Sequence, residues 1–284
     1  MLTIAYTSLL EALRKKIIIF IGIITIIYLG LFSFVVYKMM EDISGGAIKT
    51  NTSIIAMESQ IVSFLGFYFS SMLVSFFAIM SSVGNISSEI ENGTIHSIVT
   101  KPIRRMDYVL GKYLGHALLI TVYSIFIYSS IWGICIAFKL PVMNIIALED
   151  ILKGLLFFVI EPLTILSLST FGGVAFRTLT NGIFVISIYI LGLIGGMLEQ
   201  IGAAIYNNNL INIGIFASLI SPFDVIYRQM IAAIFSNIAA INPIAFGMNG
   251  EATLPSKWMN VYIVLYLVGL IYLSVFKFRK KDIS

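Results

Sequence analysis

The sequence predicts an all-α polytopic membrane protein with six transmembrane helices. Hydrophobic residues make up 59% of the 284 residues and charged residues only 11%, whereas soluble proteins carry roughly 25% charged residues. Apolar runs long enough to cross a hydrocarbon core about 30 Å thick recur along the chain. The single cysteine excludes a disulfide framework, and the net charge of +4 indicates membrane orientation rather than binding to nucleic acid.

The first segment, residues 1–16, predicts an amphipathic helix that lies on the membrane surface. Apolar residues recur at helical spacing on one face, and the basic group Arg14-Lys15-Lys16 follows them. A plain extension of the first span is the alternative. A cleaved signal peptide is disfavoured because the apolar run at 17–37 is too long. The apolar face comprises Leu2, Tyr6, Leu9, Leu10 and Leu13.

Hydropathy and charge together predict the topology of the spans. With the N-terminus inside, twelve of the 18 Lys and Arg residues fall on the inner side and six on the outer side. Basic residues favour the cytoplasmic side, so we expect both termini and the segment 85–108 in the cytoplasm. The predicted spans are 17–37, 61–83, 109–138, 154–176, 181–205 and 259–278. We expect one transmembrane domain over 1–284, with spans 1–2 inside 17–83, spans 3–5 inside 109–205, and span 6 with a basic tail in 259–284.

The interval between the fifth and sixth spans, residues 206–258, is long and partly apolar. Two apolar stretches, 210–220 and 225–240, are each too short to cross the membrane comfortably, and Ser221-Pro222 separates them. We expect a re-entrant helical hairpin that enters from the outer face, provided that protein covers its turn. Two further spans are the alternative, since they would leave the charge balance unchanged.

A polar interval between the second and third spans carries helix signals. Ser88 and Glu91 have the spacing of a capping box, in which each side chain satisfies a backbone N–H at the start of a helix. Gly93 weakens that helix, and Pro102 ends it. The interval then leads through Arg105 and the Gly111-Lys112 pair into the third span. These features predict a short helix that acts as a small docking element.

Few ionisable residues lie inside the predicted spans, and Glu161 stands out among them. Its neighbour Pro162 interrupts the hydrogen bonding of the helix. A charge at that depth is costly and often faces a cavity or a partner. Two interpretations follow: Glu161 and Pro162 mark the substrate path, or Glu161 is a hydrogen-bonded residue of a helix interface. Asp224 and Arg228, four residues apart, are expected to form an ion pair on a helix surface.

Other chemistry has little support in the sequence. The two histidines, His96 and His116, lack carboxylates at ligand spacing, so neither a metal site nor a catalytic site is predicted. No P-loop occurs, and any ATP would be hydrolysed by another chain. Two glycine pairs at small-x-x-x-small spacing, Gly111 with Gly115 and Gly192 with Gly196, would allow helices to approach closely.

The polar interval resembles the corresponding part of ABC-2 type ABC transporter permeases, which include NosY-like and bacitracin- or sodium-exporter-like members. These permeases carry a Glu, a Gly-Thr pair, a few apolar residues, a Pro, an Arg and a Gly-Lys pair before the third span. Arg104 departs from the pattern, because a small residue is usual there. The matching residues are Glu91, Gly93-Thr94, Ile95, Ile98, Val99, Pro102, Arg105 and Gly111-Lys112.

The resemblance implies a cytoplasmic coupling helix within 85–108 that docks a separate ATPase. Binding of lipid headgroups is the alternative role for Arg105 and Lys112. The residues implied in docking are Glu89, Glu91, Gly93, Thr94, Ile95, Ile98, Pro102, Arg105 and Lys112.

The resemblance also implies the biological role. The chain would be the permease subunit of an ATP-driven exporter, working as a homodimer or with a sister permease, and with two ATPase subunits. It would catalyse nothing and bind no cofactor, since ATP and Mg²⁺ would be bound by the ATPase. A prokaryotic cell membrane is the expected location. An ion-coupled secondary transporter or channel, and an integral membrane enzyme that modifies lipids, are the alternatives.

Overall fold

The computed structural model describes residues 1–44, 52–94, 104–141, 146–235 and 256–280. Within these ranges the secondary structure is helical and contains no strand, which confirms the all-α prediction. Ile95, Ile98 and Pro102 of the predicted coupling segment lie outside the described residues. The helices are α1 Leu2–Leu13, α2 Lys16–Ser44, α3 Thr52–Ser82, α4 Ser87–Glu91, α5 Arg105–Ala137, α6 Leu148–Ala175, α7 Thr178–Ala204, α8 Asn208–Ile220, α9 Phe223–Ile234 and α10 Lys257–Lys280.

Six of these helices, α2, α3, α5, α6, α7 and α10, are long and apolar enough to cross a membrane. This result confirms the six predicted spans. Most of the observed helices extend beyond the predicted apolar runs, because polar residues at the ends of a span can remain helical in the headgroup region. Pro162 does not end α6, which continues on both sides of it. The third span, α5, has 33 residues, about 50 Å at 1.5 Å per residue.

The predicted amphipathic helix is present as α1, and it packs along α5. Leu2 and Tyr6 are exposed on its apolar face, while Ser8 is buried on the opposite face. The close approach depends on glycines of α5: a Cβ atom at Gly115 would lie 2.5 Å from the Ala5 carbonyl oxygen. The Gly111 and Gly115 pair therefore allows two helices of the same chain, α1 and α5, to pack closely.

The interval after α7 folds into two helices, α8 and α9, which meet at an angle of 100°. Helix α8 returns along α7, and α9 packs against α6 and α7. The break between them is buried at Ser221 and Pro222. The hydroxyls of Tyr262 and Tyr266 on α10 donate to the carbonyls of Leu219 and Ile220, the latter at 3.0 Å. Protein thus covers the break, which is the condition that a re-entrant hairpin would have to meet.

Candidate functional site

Lys112 joins three helices at the end of the molecule that holds α1, α4 and the start of α5. Only 5% of Lys112 is exposed. Its ammonium donates to Glu11 of α1 at 2.8 Å and to Glu89 of α4, which also accepts a hydrogen bond from Tyr108. A buried ammonium is tolerated when carboxylates neutralise it and hydrogen bonds satisfy it. We call these four residues, Glu11, Glu89, Tyr108 and Lys112, the Lys112 junction.

His116 extends this junction by one helical turn. Its Nδ1 lies 3.0 Å from Ser8 Oγ, 3.1 Å from Asn85 Nδ2 and 3.2 Å from the Lys112 carbonyl oxygen. These contacts connect α1 and the link between α3 and α4 to the same face of α5. The sequence predicts neither a metal site nor a catalytic site at His116, and these contacts were not foreseen. The signal that was missed is the spacing of four residues from Lys112, which places both side chains on one helix face.

Two charged groups at or next to the junction, Glu11 of α1 and Lys15 just after that helix, have shifted pKa values. Burial disfavours the ionised form of Glu11, but the hydrogen bond and the charge of Lys112 outweigh it and hold the pKa below the ordinary value of 4.5. Burial lowers the pKa of the Lys15 ammonium, which donates to the Ser81 carbonyl at 3.3 Å. The junction therefore favours an ionised Glu11.

Glu91 caps a different helix from the one that its sequence spacing suggested. Its carboxylate accepts hydrogen bonds from the backbone N–H of Thr178 at 3.1 Å and from the Thr178 hydroxyl at 2.8 Å. Thr178 is the first residue of α7, and the N–H groups in the first turn of a helix have no partner within that helix. A carboxylate also interacts favourably with the dipole at that end. Glu91 thus connects α4 to α7.

The capping box predicted from Ser88 and Glu91 is wrong. Helix α4 begins at Ser87, and the N–H of Ser88 is already bonded to the Gly84 carbonyl. The Ser88 hydroxyl donates to that same carbonyl. Because a helical turn precedes Ser88, the N–H groups that a capping box would satisfy are not free.

The remaining described residues of the predicted coupling segment lie near the same end. Arg105 donates to the carbonyls of Phe278 at 3.4 Å and Arg279 at 3.1 Å, in the last turn of α10. Gly93 has a φ of +70°, a conformation that glycine adopts without strain. Thr94 is exposed. The structure therefore brings together Glu89, Glu91, Gly93, Thr94, Arg105 and Lys112, and the charged ones among them have partners within the chain.

Glu161 lies between α6 and α3 and is 3% exposed. The hydroxyl of Ser71 donates to one of its carboxylate oxygens at 2.6 Å, and that of Ser75 to the other at 2.8 Å. Both serines belong to α3, so the contacts hold two spans together. This geometry agrees with the interpretation of Glu161 as a hydrogen-bonded residue of a helix interface.

A second group of buried charges lies between α7 and α9. The predicted ion pair between Asp224 and Arg228 is present, but its predicted place on the helix surface is wrong, because Asp224 is 4% exposed and Arg228 is 8% exposed. Arg228 Nε lies 2.8 Å from Asp224 Oδ2, and its two terminal nitrogens donate to both oxygens of Glu199, at 3.0 and 2.7 Å. The bidentate contact has the strong geometry of an arginine–carboxylate pair. The ion pair predicted from the sequence did not include Glu199, because 29 residues separate it from Arg228.

Glycines of α7 create the room for this group. A Cβ atom at Gly196 would lie 1.8 Å from Asp224 Oδ2, and one at Gly192 would lie 2.3 Å from Ser221 Oγ. The Gly192 and Gly196 pair therefore allows the break between α8 and α9, and the start of α9, to pack closely against α7. Within the described ranges, no group of three or more His, Cys, Asp or Glu side chains is placed to hold a metal ion.

Comparison with known protein families identifies the chain. No curated protein matches the chain. The family described as ABC-2 family transporter protein matches residues 2–283, nearly the whole chain. This match confirms the family that the motif from Glu91 to Lys112 suggested. The chain therefore belongs to the ABC-2 transporter family and is the membrane component of an ABC transporter.

Proposed function

We propose that this chain is the permease subunit of an ATP-driven exporter, paired with a second permease subunit and served by two ATPase subunits. The family match supports an ABC transporter, and members of such systems usually work with an ATPase. ATP and Mg²⁺ would be bound by the ATPase, and the permease would bind no cofactor. A homodimer and a pair of sister permeases both fit this proposal.

The observation that carries the proposal is the way in which α4 is anchored. Helix α4 belongs to the segment 85–108, which the family resemblance assigns to docking. Through Glu89, helix α4 is bonded to Lys112 of α5 and, through that lysine, to Glu11 of α1. Through Glu91 it is bonded to α7. Movement of the docked segment would therefore reach three helices at once.

This arrangement divides the residues of the coupling segment into two roles. Thr94, Ile95, Ile98 and Pro102 would contact the ATPase. Glu89, Glu91, Arg105 and Lys112 would hold the segment to the spans, and Gly93 would supply the turn between the two groups. The headgroup-binding alternative for Arg105 and Lys112 has less support, because both have partners within the chain.

The contacts also favour a common side for the chain ends. Helix α1 packs beside the start of α5, and Arg105 bonds the last turn of α10. The same side carries most of the basic residues, which favours the cytoplasm. We therefore propose a multi-pass protein of a prokaryotic cell membrane with both termini in the cytoplasm.

Co-purification from the native membrane in mild detergent tests this function. We expect an ATPase subunit to co-purify with the wild type and to be lost from Ile95→Asp. Leu148→Asp is the matched control. This residue is 72% exposed and is the first residue of α6, at the end of that span that we propose to face outside, away from the ATPase. It should retain the ATPase. If no ATPase is recovered from the wild type even after mild cross-linking, the exporter proposal fails and the ion-coupled transporter becomes the better candidate.

A further inference from the structure

A groove with an almost wholly apolar lining opens between α2 and α3. Its volume is about 660 Å³, within the range of about 300–1,000 Å³ that is typical of small-molecule sites. It runs along two membrane-spanning helices, so a hydrophobic molecule could enter it from the bilayer. The side chains that form its walls include Ile27, Leu31, Leu65, Phe69, Met72 and Phe76.

A second and smaller cavity lies behind this groove. Its volume is about 10 Å³, and Glu161 and Asp224 contribute to its wall. Four aromatic rings complete it in two pairs: Tyr68 and Tyr227 have ring centroids 5.4 Å apart, and those of Tyr189 and Phe223 are 5.7 Å apart. Aromatic faces of this kind attract organic cations.

Met72 contributes to the walls of both spaces. It is therefore a residue that the lipid-facing groove and the acidic, aromatic cavity share. Methionine is unbranched and flexible, and this side chain is 39% exposed. Rotation of Met72 would connect the two spaces.

The charges around the cavity are not balanced equally. Asp224 is compensated by Arg228. Glu161 receives only the hydroxyls of Ser71 and Ser75, and within the part of the chain that the structure describes no Lys, Arg or His side chain forms an ion pair with it. An intramembrane carboxylate in such surroundings favours a cationic partner.

We propose that the groove and the cavity form one binding site for an amphipathic organic cation, with the alkyl chain in the groove and the ammonium head between Glu161 and the aromatic rings. A cavity of this size holds about one water molecule, so the head group enters only when Met72 and the aromatic side chains of the cavity wall move apart. We take this class of molecule as the transported substrate, and that part of the inference rests on the proposed function.

Equilibrium dialysis with radiolabelled dodecyltrimethylammonium tests the site. The purified chain is placed in nanodiscs of zwitterionic lipid, and empty nanodiscs give the correction for partition into lipid. We expect the wild type to bind dodecyltrimethylammonium saturably. It should not bind dodecyl sulfate, which has the same alkyl chain and the opposite charge. Glu161→Gln should weaken the binding at least about tenfold, or 1.4 kcal/mol. Glu149→Gln is the matched control on the same helix and should bind like the wild type.

A second variant tests the groove without changing the carboxylate. Met72→Trp should fill the passage between the two spaces and abolish binding, and its exposed position makes the larger side chain tolerable for folding. The proposal is overturned if the wild type shows no saturable binding, if it prefers dodecyl sulfate, or if either variant binds like the wild type. The assay needs no ATPase, so failure to recover an ATPase with the wild type would refute the exporter while leaving this site intact.

Discussion

Lys112 and Glu161 are both nearly buried, at 5% and 3% exposure, yet their surroundings differ. Lys112 meets two carboxylates, Glu11 and Glu89, whereas Glu161 meets two serine hydroxyls. The first arrangement neutralises its charge with groups from neighbouring helices and so holds those helices together. The second satisfies hydrogen bonds without supplying an opposite charge. A buried charge can therefore be structural at one site and available to a ligand at another.

The largest expected effect comes from breaking the first arrangement. Lys112→Met should lower the free energy of unfolding by about 3 kcal/mol, because it leaves Glu89 without its cation, and loss of one partner of a buried pair costs that much. Thermal unfolding in detergent would measure the change. Glu161→Gln should cost less, since no ion pair is lost there.

Two further variants make this comparison sharper. Lys153→Met removes an exposed partner of Glu149, and exposed pairs contribute little, so it should change the unfolding temperature only slightly. The double variant Lys112→Met with Glu89→Gln should recover part of the loss. A loss of stability for Lys153→Met equal to that of Lys112→Met would contradict the structural role of the junction.

The next effect concerns the glycine that lets α1 approach the junction. Gly115→Ala should destabilise the protein by about 1–3 kcal/mol, the usual cost of overpacking, because its new methyl group would meet the Ala5 carbonyl. Gly133→Ala is the control in the same helix, since a Cβ atom there would have no atom within 4 Å. Thermal unfolding should show no loss for Gly133→Ala. Equal stability of the two variants would show that α1 does not pack on α5 in this way.

The smallest expected effect is the loss of the cap on α7. Glu91→Ala should cost about 1 kcal/mol, the typical value for an N-cap, and should speed hydrogen exchange in the first turn of α7. Thr178→Ala should have a similar effect, and the double variant should cost less than the sum of the two, because both residues contribute to the same contact. Additive costs would indicate that the two side chains act independently.

Prediction from the sequence succeeded where the signal is local and failed where a partner is distant in the chain. The six spans and α1 follow from the length and period of apolar residues, and the structure confirms them. The capping box failed because Glu91 finds Thr178, 87 residues away, a contact that no spacing rule contains. The ion pair of Asp224 and Arg228 was predicted, but its burial against Glu199 was not.

The sequence by itself determined that this chain is a helical membrane protein of the ABC-2 family, because bilayer thickness fixes the length of each apolar run and the motif from Glu91 to Lys112 is contiguous. Only the tertiary structure decided which charges are paired. Lys112 finds carboxylates from two other helices, and Glu161 faces the serines of α3. Whether a buried charge is neutralised depends on how helices far apart in the sequence pack together, and hydropathy along the chain carries no information about that packing.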